Sequence, residues 1–150
     1  LRVPLYFAYG SNMDAAAMTA RCPRSRLISR GRLAGFRTIL MPSGFVSVAQ
    51  DRRMCVHGVL WDVAVGDVAA LDRYEDVARG LYAKQNLPIL REPAGSVRAL
   101  TYVGARPDLG AASRGYFEEV VAAARAHALP VAYVDYLSGL AAIHPSGRRR

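Results

Sequence analysis

Strand-like segments fill the first two thirds of this chain and helical spacing fills the last third, an order that restricts the fold class more than any single motif does. Residues 3–9 form an apolar, aromatic run that stops at Gly10-Ser11-Asn12, as a buried strand ending in a tight loop would. Asp14 before Ala15, Ala16, Ala17 and Met18 predicts an N-capped short helix that Pro23 closes. β-like patterning follows, with strands expected at 32–40, 45–49 and 55–63, separated by turns at Pro42-Ser43-Gly44 and Asp51-Arg52-Arg53. Val68, Leu71 and Tyr74, three residues apart, predict a short helix capped by Asp67 that ends in Tyr74-Glu75-Asp76. Strands are expected again at 81–90 and 97–103, on either side of a turn at 92–95. One helix is expected over 113–128, with Tyr116, Phe117, Val120, Val121 and Ala124 on one stripe, and a second from Pro130 through Val134, Leu137 and Leu140. Mostly strands and then paired helices indicate α+β and argue against a βαβ repeat.

At 150 residues and 52% hydrophobic composition, the chain is the size of one domain that buries its own core. The expected domain is 1–147, with Arg148, Arg149 and Arg150 as a short basic tail. No apolar run reaches the roughly 18 to 20 residues of a membrane span, and Leu1-Arg2-Val3-Pro4 does not open a secretory signal. A soluble, cytoplasmic protein with no membrane partner is therefore expected. Cys22 and Cys55 are too few for a disulfide framework and lack metal-site spacing, so both read as free thiols.

The formal charge of +8 raises the question of nucleic acid, but it falls to +5 without the three terminal arginines. Nineteen of the twenty basic residues are Arg, with Lys84 the exception, a bias that codon composition explains as well as phosphate contact does. Arg21, Arg24, Arg26, Arg30, Arg32 and Arg37 lie in a stretch with no Asp or Glu from 15 to 50. A solvated basic face is the expectation there, with attraction of an anionic substrate or partner as the second reading. Nucleic acid is not the expected partner.

Taken alone, Tyr9-Gly10-Ser11-Asn12 says only that a strand ends in a turn. The longer string Tyr6-Phe7-Ala8-Tyr9-Gly10-Ser11-Asn12-Met13 resembles the opening signature of the γ-glutamylcyclotransferase family. Residues 71–77, with Gly80-Leu81-Tyr82 after them, are similar to the family segment that carries a catalytic glutamate and a nearby tyrosine. The stretch from Gly115-Tyr116-Phe117 to Ala128-Leu129-Pro130, with Tyr133, Tyr136, Leu137 and Ile143, resembles its C-terminal helical part. The resemblance implies a small, mixed, barrel-like sheet with flanking helices, and cyclisation of a γ-glutamyl amide to 5-oxoproline with release of an amine. It implies Glu75 as the acid/base, and Tyr6, Phe7, Ala8, Tyr9, Gly10, Ser11, Asn12, Tyr82 and Tyr116 as the substrate contacts, with Tyr82 orienting Glu75. The implied partner is a small γ-glutamyl compound, and a homodimer is plausible from the family.

The chemistry suits these residues. The substrate's own α-amine can attack its γ-carbonyl, so the enzyme supplies a base and no nucleophile, metal or organic cofactor. A glutamate does this near neutral pH if partial burial raises its pKa, and Tyr74 and Tyr82 could provide that burial. By sequence chemistry alone, Glu75 and Asp76 read more readily as solvated residues at a helix end, and only the resemblance reverses that. Asp76, where the family often has a small residue, would raise the pKa of Glu75 further if both were desolvated. The backbone N–H groups of residues 10–13 suit a carboxylate or an oxyanion.

The remaining candidates carry less. Tyr102 reads first as a core aromatic of a strand and second as a ligand contact. His57, His127 and His144 lack acidic or cysteine neighbours at metal spacing and read as structural or solvated. Ser11 is not in a GxSxG elbow. Cys22, flanked by Arg21 and by Pro23-Arg24, reads as a catalytic thiol only remotely, and Met13, Met18, Met41 and Met54 read as core filler. A different class of function keeps the same fold without catalysis, as a binding module for a small acidic ligand or an anionic partner.

Overall fold

The computed structural model describes residues 4–143. His144 and the basic tail lie outside the described residues. Five strands, β1 (Leu5–Ala8), β2 (Arg26–Leu40), β3 (Val46–Asp62), β4 (Tyr82–Arg91) and β5 (Ser96–Gly104), close into a barrel in the order β1-β3-β2-β4-β5. All pairings are antiparallel except the seam, where β1 meets β5 in parallel at Tyr6 and Leu100. Four α-helices flank the barrel: α1 (Ala15–Arg21), α2 (Val68–Tyr74), α3 (Tyr116–Ala126) and α4 (Val131–Ile143). The fold is α+β on a mixed, closed sheet.

Closure buries Phe7, Leu33, Val56, Leu60 and Ile89 almost completely, each stabilising the fold by about 1.5 to 3 kcal/mol. It also needs close backbone approach, since a Cβ at Gly58 would lie 2.3 Å from the carbonyl oxygen of Ala8. α4 docks on the barrel through polar ends of aromatic side chains. The Tyr133 and Thr38 hydroxyls are 2.6 Å apart, and the Tyr136 hydroxyl donates to the Thr38 carbonyl at 2.7 Å. His57 packs against the Tyr133 ring, and burial lowers its pKa, with Arg32 acting in the same direction.

Local chemistry explains most element boundaries. Asp14 caps α1 by accepting the Ala17 N–H at 2.8 Å, and the helix stops before Pro23. Asp67 occupies the N-cap position of α2 but makes no capping bond; its backbone is already helical at φ −91° and ψ −10°, and its Oδ1 pairs with Arg24 at 3.1 Å. The turn expected at 51–53 is not a chain reversal. Those residues belong to β3, where four residues, 51–54, stand against Gly35 of β2 between the pairs Phe36↔Gln50 and Ala34↔Cys55. A register irregularity accommodates the polar run inside one long hairpin. β2 also begins six residues earlier than expected, pairing from Arg26 with Asp62.

The basic stretch is partly neutralised by acids that are remote in sequence. Arg24, Arg26, Arg30 and Arg37 pair with Asp67, Asp62, Glu92 and Asp51. Asp67 is buried, whereas the other three pairs are more exposed and add about 0 to 1 kcal/mol each; together they correct the expectation of a simply solvated basic face. Both cysteines are free, Cys22 buried and Cys55 partly so.

Candidate active site

A cavity of about 110 Å³ opens where the end of β1 meets the end of α2 and the first residues of β3 and β4. One water needs roughly 10 to 15 Å³ on the same measure, so the space suits a small organic molecule. Its wall contains Glu75 with Tyr6, Phe7, Tyr9, Gly10, Ser11, Asn12, Tyr82 and Tyr116, which the sequence singled out, and adds Phe45, Val46, Tyr74, Leu81 and Tyr102. Ala8 does not line it; this residue is buried on β1 and its carbonyl abuts Gly58.

The loop after β1 is held from several sides. Met13 and Asp14 donate their N–H groups to the Gly10 and Ser11 carbonyls, forming a 3-10 turn over Ser11–Met13. The N–H groups of Ser11 and Asn12 open that turn and have no acceptor within it. A Cβ on Gly10 would lie 2.9 Å from Val46 Cγ2 and 3.4 Å from the Tyr116 hydroxyl, so glycine is required by close approach. Asn12 is buried and bonded in three directions. Its side chain donates to the Tyr6 hydroxyl at 3.2 Å and accepts from Arg21 Nη1 at 2.6 Å, and its carbonyl accepts from Trp61 Nε1 at 3.0 Å. His127, at the end of α3, bonds the Met13 carbonyl at 2.6 Å.

Tyrosines form most of the remaining wall. The Tyr9 hydroxyl donates to the Tyr102 carbonyl at 2.5 Å, and Tyr82 donates to the Val46 carbonyl. The Tyr102 hydroxyl donates to Asp72 Oδ1 at 2.7 Å, and Asp72 Oδ2 pairs with Lys84 at 3.1 Å. Ser11 Oγ lies 2.5 Å from the Tyr74 hydroxyl. The Tyr6 hydroxyl accepts from Asn12 and the Tyr116 hydroxyl from the Val46 N–H at 3.4 Å, and neither donates to a partner among the described residues. Their own protons remain available to a ligand. Burial raises the pKa of Tyr6, Tyr9, Tyr82, Tyr102 and Tyr116 above the usual phenol range, so all five are neutral at physiological pH.

Glu75 is the C-cap of α2, with its N–H bonded to the Leu71 carbonyl at 2.9 Å. Its carboxylate makes no hydrogen bond or ion pair among the described residues, and the residue is partly buried in the cavity wall. Burial pushes its pKa up to about 8, opposed by the positive charge of Arg21. Two expectations about it are corrected. Asp76 is not among the causes of the shift, because the chain turns at φ 53° there and that carboxylate pairs with Arg79. Tyr82 does not orient Glu75 through its hydroxyl, which is committed to Val46. Tyr102, read first as a core aromatic, is buried and also lines the cavity, since barrel closure sets β5 beside β1 and the Tyr102 ring edge-on to Tyr6 at 5.8 Å. No sequence signal marks it. Among the described residues, no group of three or more His, Cys, Asp or Glu could hold a metal ion, and no helix is long and apolar enough to cross a membrane.

Comparison with known proteins places this geometry. The model of the AIG2-like family matches residues 55–137. The γ-glutamylcyclotransferase of Homo sapiens is 23% identical over 146 residues, spanning 91% of this chain and 78% of its own length. A solved structure of a γ-glutamyl cyclotransferase superposes with a TM-score of 0.80 at 22% identity, covering 90% of this chain and 86% of that one. The crystal structure of a human protein described as uncharacterized gives 0.83 at 23% identity, over 92% and 88% of the two chains. These structural likenesses establish the shared fold.

Proposed function

The chain belongs to the AIG2-like family, and we propose that within it this protein is a γ-glutamylcyclotransferase, converting a γ-glutamyl amide to 5-oxoproline and a free amine with Glu75 as the proton-transfer group. One observation carries the reading: among the described residues, Glu75 is the only carboxylate in the cavity wall and has no hydrogen-bond or ion-pair partner, and its pKa is pushed up to about 8. A base that must accept a proton from an attacking amine and return it to a leaving nitrogen works best with a pKa near the working pH. A solvated glutamate at a helix end would be too acidic for that task.

The substrate's α-amine gives a proton to Glu75 and attacks the γ-carbonyl carbon, forming the ring C–N bond. Collapse of the tetrahedral species breaks the bond to the leaving nitrogen, which receives the proton back from Glu75. No proton is gained or lost overall. The neutral hydroxyls of Tyr6 and Tyr116 and the N–H groups of Ser11 and Asn12 are the donors for the negative oxygens of the γ-glutamyl group. One such donor is worth roughly 3 to 4 kcal/mol when it meets developing charge in a site closed to water. The substrate contacts are Tyr6, Phe7, Tyr9, Gly10, Ser11, Asn12, Tyr82 and Tyr116, which all line the cavity. Ala8, expected among them, serves through its place in β1.

The test is release of 5-oxoproline from γ-glutamyl-alanine, a γ-glutamyl-amine and glutathione, with Glu75→Gln as control. Turnover of at least one compound is expected, falling by about 100-fold or more in the variant, the scale of general acid–base catalysis. No turnover of any of them by folded wild-type protein, or a wild-type rate from Glu75→Gln, would overturn the proposal.

A further inference from the structure

We propose that Arg21 is a positioning residue of this site, clamping the loop of residues 10–12 onto the end of α2 and thereby fixing Glu75 against the surface that receives the substrate. The inference rests on the functional reading above and adds a residue that reading does not use. Arg21 is the last residue of α1, and sequence chemistry assigned it only to a basic face. It does not behave like the arginines near it, four of which reach across to remote acids.

Its guanidinium instead makes two contacts that join separate parts of the wall. Nη1 donates to Asn12 Oδ1 at 2.6 Å, and the guanidinium carbon lies 3.5 Å above the centre of the Tyr74 ring. Tyr74 immediately precedes Glu75, and its hydroxyl lies 2.5 Å from Ser11 Oγ. Arg21, Asn12, Ser11 and Tyr74 thus close a ring of contacts, the last three of which line the cavity. A planar, delocalised cation is needed, since one group must stack on an aromatic face and donate in its own plane, which a lysine ammonium cannot do.

The same placement gives Arg21 an electrical role. Glu75 faces the hydroxyls of Tyr6, Tyr9, Tyr82, Tyr102 and Tyr116, all neutral, and among the described residues Arg21 is the cation that acts on it. On neighbouring elements Asp72 is paired with Lys84, and Asp76 with Arg79, so those charges largely cancel at Glu75. Arg21 stabilises the ionised carboxylate and restrains the effect of burial.

The test does not depend on turnover. The Glu75 carboxyl is titrated by carbon-13 NMR, assigned by its loss in Glu75→Gln, and amide hydrogen exchange is followed at Met13 and Asp14, whose N–H groups close the turn. Both are measured in wild type, Arg21→Met and Arg21→Lys, with thermal melting as a check on folding. Arg21→Met should move the Glu75 titration upward by on the order of one unit and speed exchange in the loop at least tenfold. Arg21→Lys should restore the titration while leaving exchange fast. Wild-type exchange in Arg21→Met, or full restoration of both readouts by lysine, would overturn the clamp. A lowered melting temperature with both readouts unmoved would do the same, showing a merely structural residue. If wild-type protein released no 5-oxoproline, the functional reading would fail while these readouts still decided the role of Arg21.

Discussion

Replacing Glu75 with glutamine should stabilise the fold by an amount that grows with pH. In an unfolded chain the carboxyl titrates near its ordinary value of 4.5, whereas burial in the cavity pushes it up to about 8. Between those values the folded protein holds a proton that the unfolded chain has released, so stability falls as pH rises through the interval. Below about 4.5 both states are protonated and Glu75 imposes no penalty; above about 8 both are ionised and the penalty is complete. At about 1.36 kcal/mol per unit the gap corresponds to an upper bound of about 5 kcal/mol, and hydration through the cavity mouth brings the expected value to the order of 2 to 4 kcal/mol. Glutamine has nearly the same shape and no charge at any pH. Urea unfolding of both proteins at pH 5 and pH 9 isolates the effect, because every other titrating group is common to the pair. The difference in unfolding free energy should shift in favour of Glu75→Gln by at least about 2 kcal/mol between the two pH values. A difference that stays constant would refute the idea that the cavity holds this group as a neutral acid.

Activity should move with pH in the opposite sense to stability. As a base Glu75 must be ionised, and with a pKa of about 8 its ionised fraction rises about fivefold from pH 7 to pH 8; kcat/KM for 5-oxoproline release should rise at least that much, and a profile flat from pH 6 to 9 would contradict the assignment. Gly10→Val should raise KM at least tenfold with the protein still folded, because the added carbons have Val46 Cγ2 at 2.9 Å and the Tyr116 hydroxyl at 3.4 Å to displace. Unchanged KM in that variant would remove the loop from the site.

The parts of the fold that were legible in the sequence are those set by local chemistry. The apolar run before Gly10, the Asp14 cap and the apolar stripe of α3 all act within a few residues, and each appears where expected. What stayed hidden depends on closure. Asp51, Arg52 and Arg53 look like a turn because their composition is polar, yet the facing strand holds them in one long ladder. The basic stretch looked unpaired because its acidic partners lie 14 to 62 residues further along the chain. Glu75 was legible as a position only through its family-like surroundings, and its burial was not legible at all, since a helix end ordinarily faces water. Tyr102 was passed over for the same reason: nothing local distinguishes a strand tyrosine inside the core from one at the mouth of a cavity.

Closure also explains why a site this polar can be held firmly. Tyr9 and Tyr102 are 93 residues apart and Ser11 and Tyr74 are 63 apart, yet each pair is joined by a hydrogen bond across the cavity wall. Such bonds satisfy groups that would otherwise cost about 1 to 3 kcal/mol each if left buried and unpaired, and they fix the hydroxyls before any ligand arrives. The fold therefore satisfies most of the polar wall by itself, and among the described residues it leaves the Tyr6 and Tyr116 protons and the Glu75 carboxylate uncommitted. The Tyr6 and Tyr116 hydroxyls are held neutral and keep their protons as donors, while the carboxylate, its pKa pushed up to about 8, exchanges a proton near neutral pH. A partly buried carboxylate with no partner among the described residues weakens the fold, a cost that the proposed transfer of a proton between two nitrogens of a substrate accounts for.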